Sequence, residues 1–203
     1  MGNEYIKKFD EQCKESKGKK LLLHCCCAPC SSATLEMLSE YFEVTIYFYN
    51  PNIQPEEEFK KRYEEQKRLI AEHFEGKVPV ILAPYEGEKF LEIAKGREHL
   101  PEKGQRCYLC YKQRMERTAA FAKENGFDFF TTSLSISPHK NADWINEIGL
   151  ELEGEYDIGF LYSDFKKRNG YKRSIELSKI YNLYRQDYCG CIYSKRKSAT
   201  ADE

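Results

Sequence analysis

Residues 19–34 read KKLLLHCCCAPCSSAT, an apolar run that ends at a group of cysteines and small residues. The run Lys19–His24 has the length and composition of a buried strand, and Ser31–Tyr41 is typical of a helix. A strand followed directly by a helix is the repeating unit of α/β proteins, whose sites form at the carboxyl ends of the strands. The cysteines at this turn are Cys25, Cys26, Cys27 and Cys30.

The rest of the chain continues the alternation of strands and helices. Further strands are predicted over Glu43–Tyr49, Val78–Leu82 and Phe127–Thr132, and further helices over Glu56–Phe74, Gly87–Ala94, Tyr108–Asn125 and Asp143–Leu150. This order predicts a three-layer α/β sandwich with a mainly parallel sheet covered on both faces. We expect a single domain over residues 1–203, with an α/β core at 19–152 and a helical, cysteine-containing, basic and tyrosine-rich C-terminal region at 153–203.

Charge and hydropathy limit the classes of protein. The net charge of −1 argues against a strongly basic nucleic-acid coat, but Phe160–Lys197 holds ten Lys or Arg against three acidic residues, so a local basic face is predicted. No apolar run approaches the ~20 residues that cross a bilayer. The N-terminus is polar and lacks the apolar segment of a secretory signal. We therefore expect a cytoplasmic protein with no membrane partner.

Eight of the nine cysteines lie in three tight groups, and only Cys13 stands alone. A disulfide framework is not expected in a reducing compartment, so the grouping indicates metal ligation or thiol chemistry. The four cysteines predicted to hold a metal centre are Cys26, Cys27, Cys107 and Cys110. Four thiolates suit a [4Fe–4S] cluster or a structural zinc. A redox metal is favoured, because zinc ribbons pair CxxC with CxxC and adjacent cysteines fit that geometry poorly.

Several neighbouring residues admit more than one interpretation. Cys27 and Cys30 alone would resemble a thioredoxin-type dithiol, while Cys25 is interpreted as an ordinary strand-end residue. Cys189 and Cys191 could form a small, strained, redox-active disulfide, with Asp187 as a nearby oxygen ligand. His139 is a candidate proton donor or substrate contact, although a loop histidine is as often merely exposed.

Four motifs together resemble the QueH family of epoxyqueuosine reductases: HCCCAPCSS, RCYLCYKQR, TTSLSISPHKN and YCGCIYS, which span Cys26 to Ser194 in the order of that family. Cys25 departs from the family pattern, which needs only the second and third cysteines of the run. The resemblance implies a HUP-type α/β sandwich. It also implies reduction of epoxyqueuosine to queuosine at the tRNA wobble position, without cobalamin.

On this basis we expect a [4Fe–4S] cluster on Cys26, Cys27, Cys107 and Cys110 to deliver electrons to the epoxide. Candidates for a second site, which would hold a metal ion or an acid near the epoxide oxygen, are Cys30, Cys189, Cys191 and Asp187. The expected partners are tRNA carrying epoxyqueuosine and an unidentified electron donor. The alternatives are a thiol–disulfide oxidoreductase and a zinc-stabilised RNA-binding protein.

Overall fold

The computed structural model describes residues 2–195. Its helices are α1 Gly2–Glu15, α2 Ala28–Leu38, α3 Glu56–His73, α4 Gly87–Ala94, α5 Gln105–Glu124, α6 Ala142–Tyr156 and α7 Gly170–Ile180. Its strands are β1 Lys20–His24, β2 Glu43–Phe48, β3 Val80–Leu82, β4 Phe129–Thr132 and β5 Gly159–Phe160. Short 3-10 turns cover Ser133–Ile136 and Ile192–Ser194.

The five strands form one parallel sheet in the order β3-β2-β1-β4-β5, which confirms the predicted three-layer α/β sandwich. The central strand β1 has three consecutive leucines at 21–23, all fully buried because both faces of the sheet are covered. Leu21 and Leu23 pack with residues of α1, α2, α3 and α7 on one face. Leu22 packs with residues of α5 and α6 on the other face.

Two elements were not predicted. Half of the residues of helix α1 are charged, and among residues 4–15 only Phe9 and Cys13, one turn apart, are buried on the core. An apolar stripe of two residues is too narrow to show a helical periodicity in the sequence. Strand β5 has two residues at the sheet edge, beside β4, too few for an alternation to show. Each is recognisable only from the contacts it makes in the folded chain.

The strand order places the site. The chain passes from β1 to one side of the sheet and later returns to β4 on the other side, so β1 and β4 lie at the topological switch point. In open parallel sheets ligands bind in the crevice outside the strand ends at this point. The loop after β1 carries Cys25, Cys26 and Cys27, and the segment after β4 leads to His139.

Close packing of α6 on the sheet gives a stability prediction. A Cβ at Gly149 would lie 2.3 Å from ring atoms of Phe160, whereas a Cβ at Gly154 in the same helix would meet nothing within 4 Å. We expect Gly149→Ala to lower the free energy of unfolding by about 2 kcal/mol through overpacking. Gly154→Ala should raise it by up to ~1 kcal/mol through helix propensity. Urea unfolding measures both variants, and equal effects would contradict the packing argument.

Candidate thiol-lined active site

Three thiols lie together where β1 meets α2. The Sγ atoms of Cys26, Cys27 and Cys30 are all within 4.8 Å of one another, and those of Cys26 and Cys27 are 3.8 Å apart. Cys27 is the N-cap residue of α2 and has an extended backbone, and Pro29 lies in the first turn. The helix therefore begins directly at the thiols, where its dipole and free N–H groups favour negative charge.

Cys25 points elsewhere. Its side chain is fully buried in the core cluster that contains Leu21 and Leu23, on the opposite face from Cys26 and Cys27. Its N–H donates to the Tyr47 carbonyl and so continues the β1–β2 ladder. Burial raises the pKa of this thiol well above its usual value. This is the placement expected of a strand-end residue.

A second group of thiols lines a small neighbouring cavity of about 10 Å³. Its members are Cys107, Cys110, Cys189 and Cys191. Cys107 and Cys110 lie in the first two turns of α5, one helical turn apart, so they face the same way. Cys110 and Cys191 pack with Phe90 of α4, and Cys107 packs against the core cluster of Cys26 and Cys27.

The C-terminal segment reaches this position because α3 and the loop before it hold the segment. Arg62, which is 2% exposed, pairs with Glu58 at 2.7 Å and donates to the Tyr188 carbonyl at 3.4 Å. The Tyr188 hydroxyl donates to the Gln54 carbonyl, and the Gln54 N–H donates to the carbonyl of Gly190 at 3.0 Å. These bonds fix the main chain on both sides of Cys189.

In each thiol group, the pKa of one cysteine is lowered by neighbouring thiols and by a cation. Hydrogen bonds from Cys27 and Cys30 hold the pKa of Cys26 well below its usual value, with a further contribution from Arg114. A hydrogen bond from Cys191 holds the pKa of Cys189 well below its usual value, and Lys140 also lowers it. The thiolate is the form in which cysteine binds metals and reacts as a nucleophile.

No disulfide joins Cys189 and Cys191, which corrects the prediction of one. All nine cysteines are free thiols. The Cys189 sulfur lies 3.0 Å from the Ser194 hydroxyl, a contact that an S–S bond in so small a ring would have to replace. The strain expected of a Cys-x-Cys ring explains why the open form is found.

A cavity of about 220 Å³ opens over the first thiol group. Cys189, Arg114 and Lys140 line both cavities, so the two thiol groups border adjoining spaces. The candidate residues His139 and Asp187 are exposed and line the larger cavity. Other lining residues, which were not predicted as site residues, are Arg62, Arg114, Lys140, Tyr171, Arg185 and Tyr188.

Seven of the eight grouped cysteines thus border one site. The four predicted cluster ligands divide between its two parts, Cys26 and Cys27 in one and Cys107 and Cys110 in the other. The donors are thiols, two of which have a lowered pKa, with cations beside them. This donor set fits an iron–sulfur cluster or another thiophilic metal, whereas hard cations would require oxygen ligands.

Within residues 2–195, no helix is both long enough and apolar enough to cross a lipid bilayer.

A parallel α/β sandwich with thiols and cations at the switch point of its sheet defines an α/β enzyme with a cysteine-based site. Residues 21–197 match the family model described as "Epoxyqueuosine reductase QueH". The chain belongs to the QueH family and is an oxidoreductase.

Relatives support this membership across most of the chain. Epoxyqueuosine reductase QueH of Staphylococcus epidermidis is 44% identical over 190 residues, which are 91% of this chain and 79% of that protein. The protein of the same name from Staphylococcus aureus is 44% identical, covering 89% of this chain and 78% of the relative. That from Thermotoga maritima is 37% identical, covering 86% and 89%. The match to the family model, over residues 21–197, includes all three cysteine groups.

Proposed function

We propose that the protein reduces epoxyqueuosine to queuosine at the wobble position of tRNA, the last step of queuosine biosynthesis, with electrons from a protein-bound [4Fe–4S] cluster. The observation that carries the proposal is the convergence of seven cysteines on two adjoining cavities at the switch point of the sheet, with Arg114 and Lys140 lining both cavities. Membership of the QueH family supplies the substrate class.

The reaction defines what the site has to provide. Removal of the epoxide oxygen consumes two electrons and two protons, breaks both C–O bonds, and yields an alkene and water. A bound cluster would supply the electrons one at a time. We assign its ligands to Cys26, Cys27, Cys107 and Cys110. The supporting contacts are the shared packing of Cys26, Cys27 and Cys107 and the common orientation of Cys107 and Cys110 on α5.

The remaining polar groups would act on the substrate. His139 and Asp187 line the larger cavity from its exposed side, where a proton donor to the epoxide oxygen is needed. Cys30, Cys189 and Cys191 remain candidates, with Asp187, for a second metal ion that would polarise that oxygen. The sulfur of Cys30 lies beside those of Cys26 and Cys27, so Cys30 would bind a second metal ion on the side that faces the cluster.

The exposed side of the larger cavity suits a nucleotide in tRNA. Tyr171 and Tyr188 offer aromatic faces for an unstacked base, and Arg185 offers a cation for phosphate. Lys166 and Arg168, in the basic C-terminal region, are less available to phosphate. Lys166 pairs with Asp164 at 2.6 Å, and Arg168 pairs with Asp10. Arg185 instead donates to the Ser178 hydroxyl.

We expect Arg185→Glu to weaken tRNA binding about tenfold. It should also lower by about one the number of counterions released on binding, which is read from the slope of log affinity against log salt concentration. Arg185 is exposed and lines the larger cavity, so its charge is accessible to a phosphate of the bound tRNA. The matched control is Lys77→Glu. Lys77 is exposed and precedes β3, so it lies at the amino ends of the parallel strands, and the cavity lies at their carboxyl ends. Binding titrations at several salt concentrations measure both variants. Equal affinities for Arg185→Glu and the wild type would remove Arg185 from the interface.

The function itself is tested by anaerobic purification and reconstitution. We expect about four iron and four sulfide per chain, a broad visible absorption band, and conversion of epoxyqueuosine in tRNA to queuosine with a chemical reductant, measured by mass spectrometry of nucleosides. A colourless protein that binds only stoichiometric zinc and tRNA would instead be a zinc-stabilised RNA-binding protein. Disulfide exchange without metal would indicate a thiol–disulfide oxidoreductase.

A further inference from the structure

Arg114 occupies an unusual position between the two thiol groups. It lies on α5 one turn after Cys110, is 2% exposed, and lines both cavities. Its Nε donates to the Cys110 carbonyl at 3.1 Å. That bond holds the base of the guanidinium against the helix, while its charge faces the space that the thiols border.

Within the part of the chain that the structure describes, the charge of Arg114 has no carboxylate partner. Among the described residues, 2–195, no Asp or Glu oxygen lies within ion-pair distance of it, whereas the equally buried Arg62 pairs with Glu58 at 2.7 Å. A buried charge is costly unless an anion compensates it. The groups whose negative charge would act on the Arg114 guanidinium are the thiols of Cys110, Cys26 and Cys189 and the Tyr111 hydroxyl. Glu102 and Asp187 also line the larger cavity, but neither forms an ion pair with Arg114 within residues 2–195. Its counter-charge is therefore the sulfur centre itself.

We infer that Arg114 is a positioning residue that compensates the negative charge of the thiolate-bound redox centre and raises its reduction potential. The inference rests on the proposed function, since it needs a cluster at this site. Four thiolates make such a cluster anionic, and reduction adds one more negative charge. A buried cation beside it stabilises the reduced form more than the oxidised form, because net charge is one of the terms that set the potential.

Three substitutions test the inference. Arg114→Met removes the charge and keeps much of the side-chain volume, and Arg114→Lys keeps the charge. Arg117→Met is the control, because Arg117 lies three residues further along α5 and is exposed. The readout is the midpoint potential of the anaerobically reconstituted protein without tRNA, from a dithionite titration followed by electron paramagnetic resonance.

In Arg114→Met we expect the equilibrium constant for one-electron reduction to fall at least tenfold, which is a potential lower by about 59 mV. Arg114→Lys should remain closer to the wild type, and Arg117→Met should match the wild type. An unchanged potential in Arg114→Met overturns the inference.

If Arg114→Met binds no iron or fails to fold, the result for Arg114→Lys tests the inference instead. Retained iron and a potential near that of the wild type would support charge compensation. The same failure in Arg114→Lys would mean that Arg114 acts through its hydrogen bond to the Cys110 carbonyl and not through its charge, which would overturn the inference. A wild-type protein that binds no cluster after reconstitution is a different result, because it overturns the proposed function first and the inference with it.

Discussion

Replacing Cys26 with alanine is expected to abolish reduction of epoxyqueuosine and to remove iron from the protein. Hydrogen bonds with Cys27 and Cys30 hold the pKa of Cys26 well below its usual value, and its sulfur lies within 4.8 Å of theirs. Loss of a residue that only supports a metal ligand typically costs 10- to 100-fold in activity or affinity, so loss of a ligand should exceed roughly 100-fold. Iron and sulfide analysis and nucleoside mass spectrometry measure the two effects.

The adjacent residue provides the control for this substitution. Cys25 is fully buried, and its side chain lies in the core cluster on the other face of the sheet. We expect Cys25→Ala to lower the free energy of unfolding by about 1 kcal/mol and to keep both iron and activity. A Cys26→Ala protein with wild-type iron content and turnover would contradict the assignment of Cys26, whatever Cys25→Ala does.

The core of the fold could be predicted because its signals are local. Strand β1 carries three consecutive leucines at 21–23, and α3 repeats apolar residues every three or four positions. Each pattern depends on short stretches of sequence, so element type was correct even where the ends differed. Helix α2, for instance, begins at Ala28 rather than Ser31, since Pro29 fits the first turn.

The site could be predicted only in part, because its two groups meet through long-range contacts. The clustering of cysteines was visible in the sequence, but Cys189 and Cys191 are held near α5 by contact of their segment with Arg62 and with Gln54. No local pattern encodes that contact. The importance of Arg114 likewise depends on its burial and on the absence of a carboxylate partner within the described residues.

We expect Gly190→Ala to reduce turnover about 100-fold while the fold is kept. Gly190 has a φ of +102°, and a Cβ there would lie 2.7 Å from Cγ1 and 3.2 Å from Cα of Ile53. Ile53 is fully buried and cannot move aside, so the segment that carries Cys189 and Cys191 would have to lift from the loop before α3. A displacement of about 1 Å at a catalytic site can cost 10²-fold in rate.

The control for Gly190→Ala separates close packing from backbone strain. Gly18 also has a positive φ, of +82°, but a Cβ there would meet nothing within 4 Å. Gly18→Ala should therefore show only the strain, as a small loss in melting temperature with wild-type turnover. Circular dichroism, iron analysis and turnover on epoxyqueuosine tRNA measure both variants. Wild-type turnover in Gly190→Ala would mean that the position of Cys189 and Cys191 against the first thiol group does not limit the reaction, and the two cysteines would then lose their place in the proposed site.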